Sequence, residues 1–265
     1  MEADRPEAAA GHFENALALD DRHKTSIFGL ATSHRQMGRS DEALLGYQRL
    51  LEIAGQDSKT TLAIADIEVE RGDLPAAEKT LARAAQAGAP APLFNRLGEI
   101  QALAGRPDEA RQNFETALGN NSRLSQPHFN LAVLFEQAGD LDRARGQYEQ
   151  AIDKAPRHYK AQFNLGRLMG RLGDAHRGRE LFEQAIASKA DFATGHFFLG
   201  KSLMDGNELE RAEEVTRAGL EIVSDSQLGW FVLADVLNRR GRRTEADQAL
   251  AKARSLSPEQ AVGGR

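Results

Sequence analysis

The sequence predicts an all-α chain folded as a solenoid of stacked helix pairs, and three observations carry that prediction. Ala, Leu, Glu, Arg and Gln dominate while aromatic residues make up only 6%, the composition of surface helices rather than of sheets. Short phrases recur at a fixed offset: Asn130-Leu131-Ala132, Asn164-Leu165-Gly166 and Phe198-Leu199-Gly200 follow one another at intervals of 34 residues. A glycine falls at the same place in almost every interval, at Gly38, Gly72, Gly105, Gly139, Gly173 and Gly241, with Asn207 in the one exception. Glycine and asparagine are the residues that accept the left-handed conformation in which helices commonly end.

Each interval reads as a first helix, a turn and a second helix. The first helix carries Leu30, Ile64, Leu97, Leu131, Leu165, Leu199 and Leu233, each followed by a small residue: Ala31, Ala65, Gly98, Ala132, Gly166, Gly200 and Ala234. Past the turn, the second helix places Ala43, Ala77, Ala110, Ala144, Gly178, Ala212 and Ala246, each four residues ahead of a larger side chain: Tyr47, Leu81, Phe114, Tyr148, Phe182, Thr216 and Leu250. At about 100° per residue, these positions gather on one arc of each helix. The small residues let paired helices approach closely and the large ones fill the space between. A single pair cannot bury its apolar face alone, so the pairs must stack.

This ladder resembles the tetratricopeptide repeat (TPR) family, whose pattern of large, Leu-Gly, aromatic, Ala, aromatic and Pro residues spans 34 positions. The resemblance covers nearly the whole chain, with seven complete repeats at 24–57, 58–90, 91–124, 125–158, 159–192, 193–226 and 227–260. It departs from the family pattern locally. Only Trp230 keeps the tryptophan, Gly178 and Thr216 weaken their second helices, and few repeats close on a proline as Pro156 and Pro258 do. The resemblance implies fourteen helices in antiparallel pairs wound into a right-handed superhelix. Residues 1–23 form a leading half repeat, a second helix with Ala9, Phe13, Ala16 and Leu17 in register, and 261–265 a flexible tail. Because neither end carries a polar capping repeat, the chain reads as a segment of a longer protein whose ends expose apolar area and offer a route to self-association.

Composition excludes several chemistries. With no cysteine there are no disulfides, thiolate metal sites or cysteine nucleophiles. A net charge of -5 with both signs mixed along the chain gives no overall basic field for nucleic acid or an anionic membrane. No apolar run approaches the roughly 18 residues of a membrane helix. Neither a metal-binding His-Glu-x-x-His helix, a phosphate loop nor a nucleophile elbow occurs, so no cofactor and no reaction are expected. The seven histidines are scattered, and His128 and His196 sit at a large packing position where they read as core residues. Arg239, Arg240, Arg242 and Arg243 surround Gly241 without interleaved aromatics, the pattern of a solvated helix end rather than of a nucleic-acid contact. Cytosol is the expected compartment, with the periplasm as the alternative.

In the TPR family the arc opposite the packing face lines a concave groove, and the resemblance places the function there. One position of that arc gives Phe28, Leu62, Asn95, Phe129, Phe163, Phe197 and Phe231, an apolar stripe that either receives a peptide or is covered by the adjacent repeat. The next position gives Asn130 and Asn164 in succession, similar to the start of the asparagine ladder with which O-linked N-acetylglucosamine transferases grip peptide backbone. An amide suits that role because it offers both donor and acceptor. Asp66, Glu70 and Glu99 face Lys59 and Arg96 in the second and third repeats, whereas Lys160, Arg167, Arg171 and Lys201 collect in the fifth and sixth. A co-chaperone carboxylate clamp would match at Asn130 and Lys160 but is broken by Asn95, Glu99 and Asn164. The expectation is a scaffold that binds a protein or peptide across Phe129, Phe163 and Phe197, edged by Asn130, Asn164, Lys160, Arg167, Arg171 and Lys201. The alternatives are the non-catalytic TPR portion of a bacterial glycosyltransferase- or sulfatase-type fusion, or of a periplasmic export or polysaccharide-assembly complex.

Overall fold

A computed structural model describes residues 6–88 and 90–256. Pro258, the end of the last expected repeat and the tail 261–265 lie outside the described residues. The chain divides into two compact units, Met1–Leu134 and Phe135–Arg265. Fifteen helices run through the described residues, and none of these residues forms a strand.

The first unit holds α1 (Pro6–Leu19), α2 (Lys24–Gln36), α3 (Ser40–Ala54), α4 (Ser58–Glu70), α5 (Leu74–Gln86), α6 (Ala91–Leu103), α7 (Pro107–Asn120) and most of α8 (Ser125–Gln137). The second holds the end of α8, then α9 (Leu141–Lys154), α10 (Tyr159–Arg171), α11 (Ala175–Ser188), α12 (Ala193–Asp205), α13 (Leu209–Ile222), α14 (Gln227–Arg239) and α15 (Arg243–Ser255). Helices adjacent in sequence pair closely, α2 with α3, α4 with α5 and α6 with α7 in the first unit, and α10 with α11, α12 with α13 and α14 with α15 in the second.

The turns work as the glycine ladder requires. Gly38, Gly72, Gly105, Gly139, Gly173 and Gly241 all have φ between 74° and 91°, and Asn207, at 62°, is the one described non-glycine residue with positive φ. At Gly72 the amide donates to the carbonyl of Val69, and the following Asp73 amide reaches back to Glu68, closing the helix end with the bonds its last carbonyls need. Asp73, Asp140 and Asp174 then cap the next helix through their side chains.

Packing follows the small-large ladder. Ala43, Ala77, Ala110, Ala144 and Ala212 are fully buried, as are Tyr47, Leu81, Phe114 and Tyr148 four residues on. Where Gly166 of α10 crosses Gly178 of α11, a side chain at Gly178 would stand 2.8 Å from the Gly166 carbonyl oxygen, so the departure from alanine there is what lets the backbones approach. Thr216 replaces an aromatic yet stays buried because its hydroxyl donates to the Ala212 carbonyl. Phe13 of α1 covers Gly29 of α2.

Apolar exposure at the ends is one-sided. Leu19 of α1 is 92% exposed, as expected. On α15 the outward positions are Asp247, Gln248, Ala251, Lys252 and Arg254, while Ala246, Ala249 and Ala253 turn inward. The expected apolar face on α15 therefore shrinks to Ala251, because Ala246, Ala249 and Ala253 are turned inward.

Candidate functional site

The first helix of each pair presents a polar edge, and in the first unit the arginines and carboxylates of that edge pair with one another. Arg35 of α2 donates to Glu70 of α4 at 2.5 Å and lies 3.8 Å from Asp66. Arg96 of α6 bridges Asp66 at 2.8 Å and Glu99 at 2.9 Å. The Asn130 amide donates to Asn95 Oδ1 at 3.0 Å and to Glu99 Oε1 at 3.1 Å, and its own oxygen accepts from Gln126. Asn130 thus has its amide occupied by neighbouring side chains. Lys59 sits 4.2 Å above the Phe28 ring, an arrangement that favours the cation.

The second unit repeats this arrangement with the charges exchanged. Glu136, near the end of α8, occupies the position that Arg35 holds on α2. Arg167 and Arg171 of α10 stand where Asp66 and Glu70 stand on α4. Arg171 donates to Glu136 Oε1 at 2.8 Å, Arg167 lies 3.8 Å from the same oxygen, and Glu136 is only 12% exposed. The buried Tyr148 hydroxyl donates to Glu136 Oε2 at 2.9 Å and accepts from the Asn164 amide at 3.3 Å. Burial, and then the adjacent Glu136 carboxylate, push the Tyr148 hydroxyl well above the usual tyrosine range, so it acts as a fixed donor. Asn164 Oδ1 accepts no hydrogen bond from the described residues. Lys160 and Lys201 are exposed and make no ion pair with any described residue.

The apolar stripe is mostly interior. Phe163 is 9% exposed and packs against Phe182, Phe192 and Phe198 with ring centroids 5.7, 5.1 and 5.0 Å away. Phe197 is 2% exposed and lies in a second core with Leu220 and Leu233. Both were expected to face a ligand. The structure instead places them in the contact between successive helix pairs, since leaving such rings in water would forfeit their burial free energy. Phe129 is half-buried, and Phe231, at 39%, is the exposed phenylalanine of the series. Glu136 and Tyr148 are the members of the polar edge that sequence reasoning missed. The available signal was Glu136 standing 35 residues before Arg171, the same interval that separates Arg35 from Glu70.

A tetratricopeptide repeat family model matches residues 1–58, 62–125, 129–169 and 170–227. The chain belongs to the tetratricopeptide repeat family. Solved structures agree on the TPR fold. MamA residues 41 to the end from Desulfovibrio magneticus RS-1 matches with TM-score 0.57 and 17% identity over 66% of this chain and 97% of that one. The hetero-tetramer Cut9-Hcn1 of the APC/C matches with TM-score 0.69 and 12% identity over 89% of this chain and 46% of that one. YrrB, described as a TPR protein with an unusual peptide-binding site, matches with TM-score 0.50 and 20% identity over 71% and 97%. No curated protein sequence matches significantly.

Arg239, Arg240 and Arg242 around the last TPR turn are engaged. Glu213 of α13 accepts from Arg217, Arg240 and Arg242, and Arg240 also lies 3.1 Å from Glu210. Arg239 donates to the Met204 carbonyl. Burial works against the Glu213 charge, but these hydrogen bonds prevail and hold its carboxyl below the usual range. The same register recurs in the first unit as Arg106 with Glu78 at 2.5 Å, and with signs exchanged as Arg179 with Glu208. The cluster therefore ties successive TPR pairs together. Among the described residues no group of carboxylates and histidines could hold a metal, and no helix is long and apolar enough to cross a membrane.

Proposed function

We propose that this TPR chain is a protein-interaction scaffold that takes an acidic protein segment on the polar edge of α10 and α12. The observation that carries the reading is an unbalanced charge inventory. Lys160, Arg167, Arg171 and Lys201 meet two carboxylates there, Glu136 and Asp205, and Asp205 already stands 3.5 Å from Arg239. The corresponding edge of the first unit pairs Arg35 and Arg96 with Asp66, Glu70 and Glu99 and leaves no cationic surplus. A surplus of one sign selects ligands of the other and raises their association rate. The open Asn164 carbonyl supplies an acceptor for a backbone amide beside the cations. The exposed Phe231 and Leu228 of α14 offer apolar contact. With Phe163 and Phe197 buried, the interaction is electrostatic and amide-directed rather than anchored on those two rings.

The peptide-binding site named for YrrB supports a TPR surface as a ligand site in general. The test is fluorescence anisotropy with a glutamate-rich peptide, a lysine-rich peptide and a short RNA at low and high salt. The expected result is salt-sensitive binding of the glutamate-rich peptide, abolished by the double variant Arg171→Glu and Lys201→Glu. Binding of the lysine-rich peptide or the RNA instead, or indifference to the double variant, would overturn the assignment.

A further inference from the structure

We infer that Glu136 is a built-in competitor for the acidic ligand, a carboxylate of the chain that occupies the guanidinium groups until a ligand carboxylate replaces it. This deepens the function proposed above and rests on it.

Among the described residues Glu136 is the only carboxylate paired with Arg167 and Arg171, and it holds them from one helix pair earlier in the chain. Its two oxygens have different partners: Oε1 faces both arginines, while Oε2 accepts from the Tyr148 hydroxyl. Losing Arg171 would therefore not strand a buried charge, because the Tyr148 bond, itself braced by Asn164, remains. A buried carboxylate left with no donor would resist the exchange strongly.

The arginines are the mobile partners. Arg171 is 52% exposed and Arg167 39%, against 12% for Glu136, so each guanidinium can turn outward to a carboxylate arriving from solvent while Glu136 stays in place. Arg167 already lies with its guanidinium 6.0 Å from the Phe163 ring centroid, which supports the charge when the arginine leaves Glu136. Lys160 and Lys201 have no such partner among the described residues, so they attract the ligand at a distance and the arginines complete the contact by exchange.

The consequence is selectivity. A single ligand carboxylate gains little, since it only replaces the one that is lost. A segment with several carboxylates gains at the lysines as well and wins the exchange.

The test compares wild type with Glu136→Gln, which keeps an oxygen for the Tyr148 hydroxyl, using the glutamate-rich peptide and its glutamine-rich counterpart. Circular dichroism and the urea midpoint check that the variant is folded. The expected result is about fivefold tighter binding of the glutamate-rich peptide to Glu136→Gln, equivalent to about 1 kcal/mol at 1.4 kcal/mol per tenfold, with binding of the glutamine-rich peptide unchanged. If the wild type binds the glutamate-rich peptide but Glu136→Gln binds it equally or less well, Glu136 positions the arginines and the competitor assignment fails while the function stands. If neither protein binds it, the functional proposal fails as well.

Discussion

Phe197 fits its pocket because position 229 is a glycine. A side chain at Gly229 would stand 2.6 Å from the Phe197 ring and 2.7 Å from Leu220, and one at Gly219 2.5 Å from the same ring. The ring of α12 thus packs closely against both α13 and α14. Gly229→Ala is expected to destabilise the second unit by about 1–3 kcal/mol, the cost of overpacking a filled core. Urea unfolding monitored at Trp230 measures it, and an unchanged midpoint would show that the slot is loose.

Phe163 leads to a similar test with a larger effect. Its three aromatic neighbours, Phe182, Phe192 and Phe198, would all line the cavity left by truncation. Phe163→Ala should cost about 3–5 kcal/mol of stability. Loss of peptide binding without loss of stability would return Phe163 to the surface role that the sequence suggested.

Two glycines on α10 should respond in opposite directions. At Gly166 an added Cβ would meet Phe182 at 2.8 Å and the Gly178 carbonyl oxygen at 3.0 Å, whereas at Gly170 nothing lies within 4 Å. Gly166→Ala is expected to destabilise by about 1–3 kcal/mol. Gly170→Ala should stabilise by about 0.5–1 kcal/mol through the better helix propensity of alanine. Differential scanning calorimetry of the two variants should place their melting temperatures on either side of the wild type.

The start of α10 carries a pH dependence of defined sign. His158 Nδ1 accepts from the Ala161 amide at 3.2 Å, which requires an unprotonated nitrogen. Burial, with Lys160 nearby as a smaller cause, holds its pKa below the usual histidine value. A depressed folded pKa means that the cap is fully effective above the ordinary value of about 6.5 and is lost as pH falls through the folded one. His158→Asn keeps a capping acceptor without titrating. The wild type should lose about 1 kcal/mol more than this variant between neutral and mildly acidic pH, read from urea midpoints. Parallel losses would assign the pH dependence to other groups.

Much of this fold was legible because its information is local and periodic. Leu131, Leu165 and Leu199, the glycines that end each first helix and the Ala144-Tyr148 type of pair all act within one helix pair, so their spacing alone predicts where chains turn and which arc is buried. Asn207 could be read as a turn residue for the same reason, and it is the described non-glycine residue that takes positive φ.

The helices, their ends and the small-large face on which paired helices meet are each set by residues a few positions apart, so they can be read along the chain. Which phenylalanines are covered and which charges are cancelled depends instead on contacts between helices distant in sequence. Phe197 is interior because Gly219 and Gly229 leave room for it, and Glu136 occupies Arg171 because stacking brings residues 35 apart to 2.8 Å. Both relationships depend on how one helix pair sits on the next, a geometry that the period announces but does not specify for individual side chains.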